Sequence, residues 1–330
     1  MNQIIDTHAH YCSHQFDADR DALLTVLPAA GVAGVLECAT HSGDAPAAVE
    51  LAHRYPFVKA AVGIHPESLG DPDAPTVAKY GGDWRAELTA LRPLFEDPAV
   101  VAVGEIGLDH HWPLPAKEQY DLFEAQLQLA AELDLPVSVH DREAHGEMYE
   151  LLRQYKPRGV LHCYSGSPED ALWLTGQGMA LGFGGAATYK GAKRAARVLA
   201  VVPHDAVVLE TDCPYMAPEP VRGRRNDSRN IAYVAQFIGT LWEMDPQEVL
   251  SRTAQNARRI FGAWEEYQTQ FIYGGINYES THPQTPRIYH RLPEGRPRRE
   301  GKRGLGQADG PDGGLQEVPQ RSDRLLSDLH

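Results

Sequence analysis

The sequence predicts an α/β protein built as a (β/α)8 TIM barrel of parallel strands, followed by a disordered C-terminal tail. Eight short apolar runs alternate with stretches of helical character between residues 4 and 262 of the 330-residue chain, which is typical of parallel α/β folds. This length agrees with the about 250 residues of a TIM barrel. The hydrophobic periodicity then stops near Gln268, so we expect the barrel to end there.

The eight apolar runs are the predicted strands of the barrel. We place them at Ile4–His10, Val32–Ala39, Val58–Gly63, Val100–Val103, Pro136–Val139, Gly159–Leu161, Met179–Phe183 and Ala206–Leu209. In a barrel of this kind the carboxyl ends of all strands meet at one mouth, where active sites lie. The residues that end each run are therefore the first candidates for function.

The predicted helices are defined by their capping signals and apolar spacing. Gly31 follows the first helix, Pro46 occupies the first position of the second, Asp83 caps the third, and Ser167 precedes a proline at another helix start; all are typical boundary residues. We place the helices at Phe16–Ala30, Pro46–Tyr55, Asp83–Leu94, Lys117–Leu133, Glu143–Gln154, from Ser167 onward, and at Lys190–Val202, Asn230–Glu243 and Asp245–Phe261.

A doubly wound open sheet is the alternative fold. That fold usually carries a glycine-rich phosphate-binding turn after its first strand. Here the first strand ends in Asp6-Thr7-His8-Ala9-His10, so the barrel is favoured.

The C-terminal segment differs in composition from the rest of the chain. From Gln268 on it is rich in Pro, Gly and Arg and has no hydrophobic period, which is typical of disorder. We therefore divide the chain into a barrel domain, residues 1–267, and a low-complexity tail, residues 268–330. The tail holds nine basic and eight acidic residues, so the acidic excess of the chain, whose net charge is −14, belongs to the barrel.

Composition narrows the class of protein and its location. An acidic chain does not bind nucleic acid through bulk charge, so a polyanionic substrate needs a local basic patch. No apolar run is long enough to span a membrane, and the N-terminus lacks the features of a signal peptide. The four cysteines show no CxxC spacing, which favours reduced thiols and a cytoplasmic location.

Ligand-type side chains end five of the predicted strands. His8 and His10 are two residues apart on one strand and therefore point to the same side. Four imidazoles and two carboxylates converge in total: His8, His10, Glu105, His140, His162 and Asp212. Buried carboxylates are costly without a counter-charge, and a metal supplies one.

Six protein ligands exceed the number used by one catalytic metal, which keeps an open position. We therefore predict two divalent ions that share a carboxylate. His8, His10 and Asp212 are assigned to one ion, His140 and His162 to the other, and Glu105 to both. Mg, Mn, Zn and Co are all candidates, and the sequence does not identify the metal.

The motifs around these residues resemble the TatD-type metal-dependent hydrolases of the amidohydrolase superfamily. The resemblance runs from about Ile4 to Gly262. It rests on Asp6-Thr7-His8-Ala9-His10, Gly63-Ile64-His65-Pro66, Gly104-Glu105-Ile106-Gly107-Leu108-Asp109, Val139-His140-Asp141-Arg142, Leu161-His162-Cys163-Tyr164 and Glu210-Thr211-Asp212-Cys213-Pro214. It implies that the same six residues bind metal. One departure is Tyr11-Cys12-Ser13-His14, where the family often has an acidic residue.

The resemblance implies deoxyribonuclease activity, as a 3′–5′ exonuclease on single-stranded DNA. Two divalent ions would acidify a shared water toward neutral pH. Asp212 is the predicted general base, and Glu105 is the second predicted catalytic residue. The substrate is expected to be DNA, with no membrane partner; the oligomeric state stays open, a monomer being one option.

Several residues near the mouth are candidates for binding this substrate. His65 ends the third strand and can donate to a phosphate or carbonyl oxygen. Arg142, Arg222 and Arg224 can contact phosphates, and with Arg225 the last two would form the local basic patch that an acidic protein needs. Tyr164 and Tyr189 can stack on bases or serve only in packing.

Two alternative functions remain at this stage. The same metal site could hydrolyse an amide, lactone or aminoacyl ester, and a neutral, apolar mouth would favour that reaction. A metal-binding interaction protein without turnover is the second alternative. The pair Glu105 and Asp212 argues against it, because a binding module has no need of a bridged pair of metals with an open water position. Fold alone does not choose among the three.

Overall fold

The computed structural model describes residues 4–264, which form a ring of eight parallel strands with helices between them. The strands are β1 Ile4–Ala9, β2 Val32–Cys38, β3 Val58–Val62, β4 Val100–Asp109, β5 Val137–Arg142, β6 Gly159–Leu161, β7 Met179–Phe183 and β8 Val207–Leu209. Their order in the sheet is their order in the chain. The prediction of a (β/α)8 TIM barrel is confirmed.

Ten α-helices lie within residues 4–264. They are α1 Arg20–Val26, α2 Ala45–Arg54, α3 Pro75–Ala78, α4 Trp84–Leu91, α5 Ala116–Leu133, α6 His145–Tyr155, α7 Pro168–Gly176, α8 Lys193–Leu199, α9 Ile231–Trp242 and α10 Pro246–Phe261. Short 3-10 helices cover His14–Phe16, Pro28–Ala30, Pro66–Leu69, Arg92–Glu96, Gly185–Thr188, His204–Ala206 and Ser228–Asn230. None of the helices in this part of the chain is long and apolar enough to cross a membrane.

The ring closes where the carboxyl end of β8 meets β1. The Asp212 amide donates to the His8 carbonyl at 2.9 Å, and the His10 amide donates to the Cys213 carbonyl at 2.9 Å. The Thr7 hydroxyl donates to the Leu209 carbonyl at 3.1 Å. These bonds place the His-x-His segment beside Asp212 although the two are about two hundred residues apart in the sequence.

A shift of register in β1 turns the histidines toward the barrel interior. Ile5 packs in a cluster with Leu36, Val160 and Val208, which come from strands on different sides of the ring and therefore meet inside it. Simple alternation from Ile5 would turn His8 to the other side. The pairing with β2 shifts between Asp6 and Ala9, and such an irregularity changes the phase of a strand.

The fourth strand is longer than predicted. The sequence predicted an end at Val103, but β4 continues to Asp109, so Glu105 lies within the strand rather than at its end. Gly104 and Gly107 interrupt the apolar run and lower its apparent strand propensity. The backbone needs a glycine at 107, because its φ is 149° and a Cβ there would collide with the His140 carbonyl of β5.

Two predicted helices end earlier than expected because prolines interrupt them. The helix predicted at Phe16–Ala30 is α1 followed by a separate 3-10 turn that begins at Pro28, since proline removes a backbone donor from a continuing helix. The helix predicted to reach Leu94 ends at Leu91 before a 3-10 turn containing Pro93. The predicted tail, residues 268–330, lies outside the described residues, and its boundary stays a prediction.

Several predicted boundary signals are confirmed. Gly31 ends the first helical segment with a left-handed φ of 99°. The Asp83 carboxylate accepts from the amides of Arg85 and Ala86, and the Ser167 hydroxyl accepts from the Asp170 amide at 3.0 Å. Strands β6 and β7 have the predicted bounds. These element boundaries could therefore be predicted from local residues in the sequence.

A buried glutamine on α5 holds the backbone at the mouth of β3. The Gln126 carboxamide accepts from the Ile64 amide at 2.7 Å and donates to the Ile64 carbonyl at 3.0 Å. Ile64 and Gln126 are both buried. The segment that precedes His65 is fixed by these two bonds.

We predict that Gln126→Leu destabilises the protein by about 2–5 kcal/mol, because two buried backbone groups lose this side-chain partner. The matched control is Gln128→Leu on the exposed side of the same helix, which should change the free energy of unfolding by less than about 0.5 kcal/mol. Urea unfolding followed by circular dichroism measures both. Equal stability of the two variants would contradict this role.

Candidate metal centre

Glu105 is the centre of a cluster of five histidines at the mouth of the barrel. Its Oε2 lies 3.3 Å from His8 Nε2 and 3.5 Å from His10 Nε2. Its Oε1 lies 2.9 Å from His162 Nε2, 3.2 Å from His140 Nδ1 and 3.5 Å from His65 Nε2. Each carboxylate oxygen therefore faces a separate group of imidazoles.

Asp212 completes the group on the Oε2 side. Its Oδ1 lies 3.2 Å from His10 Nε2 and 3.9 Å from His8 Nε2. All six residues predicted to bind metal are thus brought together, and His8, His10 and Asp212 form one compact group. His65, predicted only as a substrate contact, also lies within this cluster, grouped with Glu105 and His140.

The hydrogen bonds of the second ring nitrogens test whether a metal fits this cluster. His10 Nδ1 lies 2.8 Å from the Cys38 carbonyl, which only accepts, so the proton of a neutral imidazole is on Nδ1. His10 Nε2 then carries a lone pair, and it lies 3.2 Å from His8 Nε2. The partner of His8 Nδ1 is the Ser138 hydroxyl, which can donate or accept, so His8 Nε2 can present a lone pair as well, and a cation between the two nitrogens would use both.

The same arrangement recurs on the other side of Glu105. His140 Nε2 lies 2.9 Å from the Asp109 carboxylate and therefore holds the proton, which leaves Nδ1 as an acceptor. Nδ1 lies 3.2 Å from His162 Nε2. Imidazole lone pairs thus converge on both sides of one carboxylate, a donor set that fits two divalent cations.

The electrostatics of the cluster show how strongly it favours a positive charge. Burial alone would raise the pKa of Glu105, but the fields of His65, His8 and His162 hold it well below its ordinary value. Burial lowers the pKa of His8 to about 4. His10 is buried as well, yet its bonds to Asp212 and the field of Glu105 raise its pKa to about 10.

A buried aspartate ties the two ends of the barrel domain together beneath the cluster. The Asp6 carboxylate accepts from the Thr211 hydroxyl at 2.6 Å, the Thr211 amide at 3.0 Å and the Ser228 hydroxyl at 2.7 Å. Burial raises its pKa to about 6 against the effect of these bonds. Asp6 therefore fixes β1, which carries His8, against the residue that precedes Asp212.

Glu37 performs a similar role for the loop that follows His10. Its carboxylate accepts from the amides of Tyr11 and Cys12 at 2.8 and 2.7 Å. Burial raises the pKa of Glu37 to about 7. Asp6, Glu37 and Asp109 were not among the predicted site residues, although Asp6 and Asp109 stand in the motifs that contain His8 and Glu105.

The predicted substrate residues are placed at the mouth in two different settings. Arg142 follows His140 by two residues on β5, and its guanidinium lies 5.7 Å from the Trp112 ring centroid. Arg222 lies 4.1 Å from the Tyr189 ring centroid, and Arg224 is exposed. Arg225 is paired with both carboxylate oxygens of Asp19. Its charge is therefore neutralised and does not contribute to the predicted basic patch.

Comparison with known proteins gives a family match over the whole barrel. The model of the family described as TatD related DNase matches residues 5–262. A Bacillus subtilis protein, YabD, described as an uncharacterized metal-dependent hydrolase, is 35% identical and covers 78% of this chain and 98% of its own length. The 3′-5′ ssDNA/RNA exonuclease TatD of Erwinia tasmaniensis is 32% identical, with 78% and 99% covered.

Solved structures give the same result at the level of the fold. The crystal structure of YjjV, a TatD homolog from Escherichia coli, superposes with a TM-score of 0.72 at 30% identity and covers 79% of this chain and 99% of that one. A TatD-family hydrolase from Entamoeba histolytica has a TM-score of 0.68 at 19% identity, with 79% and 98% covered, and shows the shared fold.

We predict that Asp109→Asn weakens metal binding by about 10- to 100-fold, the range for lost partners of metal-binding histidines. Asp109 accepts from His140 Nε2 with one oxygen and from the His111 amide with the other, whereas asparagine accepts with only one. Metal titration by calorimetry measures the change. Asp97→Asn is the control, since Asp97 contacts His53 at 2.8 Å outside the cluster. Unchanged affinity in Asp109→Asn would contradict this role.

The pKa of Glu37 predicts a pH dependence of stability. Its folded-state pKa of about 7 lies above the ordinary value of 4.5. Its contribution to stability is therefore greatest below pH 4.5 and is lost as the pH rises through 7. In Glu37→Gln the free energy of unfolding should fall less between pH 5 and pH 8 than in the parent protein. Urea titrations without added metal test this, and parallel pH profiles would show that Glu37 does not titrate there.

Proposed function

The chain belongs to the TatD-related DNase family, and we propose that this metal-dependent hydrolase is a 3′–5′ exonuclease on single-stranded DNA. The observation that carries the proposal is the position of Glu105, whose two oxygens face separate groups of ligand-type side chains. A carboxylate in that position suits two cations, and paired cations suit the displacement at phosphorus. The names of the relatives, ssDNA/RNA exonucleases among them, support the choice of substrate.

In this proposal His8, His10 and Asp212 hold one ion, His140 and His162 hold the other, and Glu105 holds both. The ions, when bound, lower the pKa of a water toward neutrality and polarise the attacked phosphoryl oxygen. Glu105 stays ionised, because the surrounding histidines hold its pKa well below the ordinary value. It therefore contributes a full negative charge to the binding of cations. Mg, Mn, Zn and Co remain the candidates.

Asp212 is the proposed general base. Burial would raise its pKa, but the bond to His10 and the fields of His10 and His8 keep it below the ordinary value. It is thus ionised at neutral pH and able to accept a proton from the attacking water. Its Oδ1 faces His10 Nε2, the nitrogen proposed to bind the ion, so Oδ1 would bind the same ion and Oδ2 would accept the proton.

His65, Arg142, Arg222 and Arg224 are the proposed substrate contacts. The His65 side chain lies against Glu105 Oε1, within the cluster, and would reach a phosphate held there. Arg142 lies two residues nearer the mouth than His140 on the same side of β5. Arg222 and Arg224 belong to the loop after β8. They would contact phosphates of the DNA that lie farther from the site of cleavage.

We also propose that the protein acts in the cytoplasm. All four of its cysteines are free thiols in the structure, which agrees with a reducing compartment. Fractionation of the source cells followed by immunoblotting would test this location.

We predict that Asp212→Asn reduces hydrolysis by at least about 100-fold, since it removes a proton acceptor. The test strips the protein of metal, restores Mg, Mn, Zn or Co, and follows end-labelled single-stranded and duplex DNA on a gel. Metal-restored shortening from the 3′ end in the parent, absent in Asp212→Asn, is the expected result.

An aryl ester and an aryl phosphodiester are assayed alongside the DNA. Turnover of the ester with intact DNA would replace the proposed nuclease by a carbonyl hydrolase. Shortening from the 5′ end would overturn the proposed polarity.

A further inference from the structure

Two arginines at the mouth of the barrel stack on aromatic rings and form no ion pair with a carboxylate of residues 4–264. They are Arg142, over Trp112, and Arg222, over Tyr189. Arg54, Arg85 and Arg225 also stack on rings, but each of these has an aspartate partner. The chain has a net charge of −14. Two guanidinium groups without a carboxylate partner, near the cluster around Glu105, are therefore available for an anion.

The first pair lies above the part of the cluster that contains His140. Arg142 and His140 point to the same side of β5, separated by two residues or about 6.6 Å along the strand. Trp112 follows the end of β4, and its indole nitrogen donates to Glu67 Oε1 at 3.0 Å. Glu67 in turn is close enough to His140 and Asp109 for their charges to act on its pKa. The ring is thus anchored beside the cluster.

The second pair lies farther around the mouth, beyond β6. Tyr189 follows the 3-10 turn after β7, and its hydroxyl donates to the Ala217 carbonyl at 3.2 Å. Arg222 belongs to the loop after β8. Trp112 follows β4 and Arg142 belongs to β5, whereas Tyr189 and Arg222 follow β7 and β8, so β6 separates the two pairs in the ring. Cys163, the neighbour of His162, is close enough to Arg142 and to Tyr189 to interact electrostatically with both, so the two pairs flank the cluster on its His162 side.

We propose that these two pairs form a nucleotide clamp that determines the preference for single strands, an inference that rests on the proposed nuclease function. Each aromatic ring offers a stacking surface for an unpaired base, and each guanidinium offers N–H groups to the neighbouring phosphate. Bases in a duplex are already stacked and paired, so they gain nothing from such surfaces. Trp112 and Tyr189 are then specificity-determining residues, and Arg142 and Arg222 bind phosphate.

The test measures binding of a short, fluorescently labelled phosphorothioate oligothymidine, which resists hydrolysis, to the full-length metal-loaded protein. The same strand with abasic 3′-terminal residues is the second probe. Trp112→Leu and Tyr189→Leu should each weaken binding of the base-bearing strand by about 5- to 150-fold, the range for one base–aromatic stack. Binding of the abasic strand should change much less, and Trp112→Phe and Tyr189→Phe should restore most of the loss.

The arginine variants separate charge from stacking. Arg142→Gln and Arg222→Gln should weaken both probes and lower the slope of affinity against salt concentration by about one phosphate contact each. Arg153→Gln is the matched control, because Arg153 stacks on Trp173 near the end of α6, away from the mouth. This variant should bind both probes as tightly as the parent does.

The clamp is overturned if the leucine variants bind the base-bearing strand as tightly as the parent does. It is also overturned if their affinity for both probes falls by the same factor. Hydrolysis of bis(4-nitrophenyl) phosphate by the parent tests the nuclease proposal separately. Turnover of this diester without any ring-dependent binding would refute the clamp alone. Ring-dependent binding without turnover of diester or DNA would refute the proposed nuclease and leave the clamp supported.

Discussion

The structure depends on a single buried carboxylate that is surrounded by imidazole nitrogens. Glu105 is almost fully buried, at 4% exposure, and such a charge is costly unless opposite charge surrounds it. Its position within β4, rather than at the end of that strand, places its two oxygens toward different strands of the ring. The close contact between β4 and β5 at Gly107 and His140 is part of the same constraint, because it brings His140 within reach of Glu105.

A second set of buried polar groups orients the imidazoles that surround Glu105. Three of the imidazoles have their outer nitrogen held by the protein: His8 by the Ser138 hydroxyl at 3.0 Å, His10 by a carbonyl and His140 by a carboxylate. These partners decide which nitrogen faces Glu105. The carbonyl and the carboxylate fix the tautomers of neutral His10 and His140, so that each of them directs an acceptor nitrogen toward Glu105.

The fold and the six convergent side chains could be predicted because their signals are local. Apolar runs, capping residues and ligand-type residues at strand ends are all visible within a few positions. What could not be predicted depends on contacts between distant segments. The extension of β4 past two glycines requires β5 beside it, the phase change in β1 requires β2, and the pairing of Arg225 with Asp19 joins two loops about two hundred residues apart.

The closure of the ring between β8 and β1 has a consequence for the biosynthesis of the protein. Asp6 and His8 bond to groups that lie more than two hundred residues later in the chain, up to Ser228. Contacts of such high sequence separation form late, because the entropy of closing the loop is lost before they can stabilise it. Synthesis runs from the N-terminus, so His8 and His10 emerge from the ribosome long before Asp212. The complete cluster is therefore assembled only after translation of the barrel domain is nearly finished, and a prematurely terminated chain lacks it.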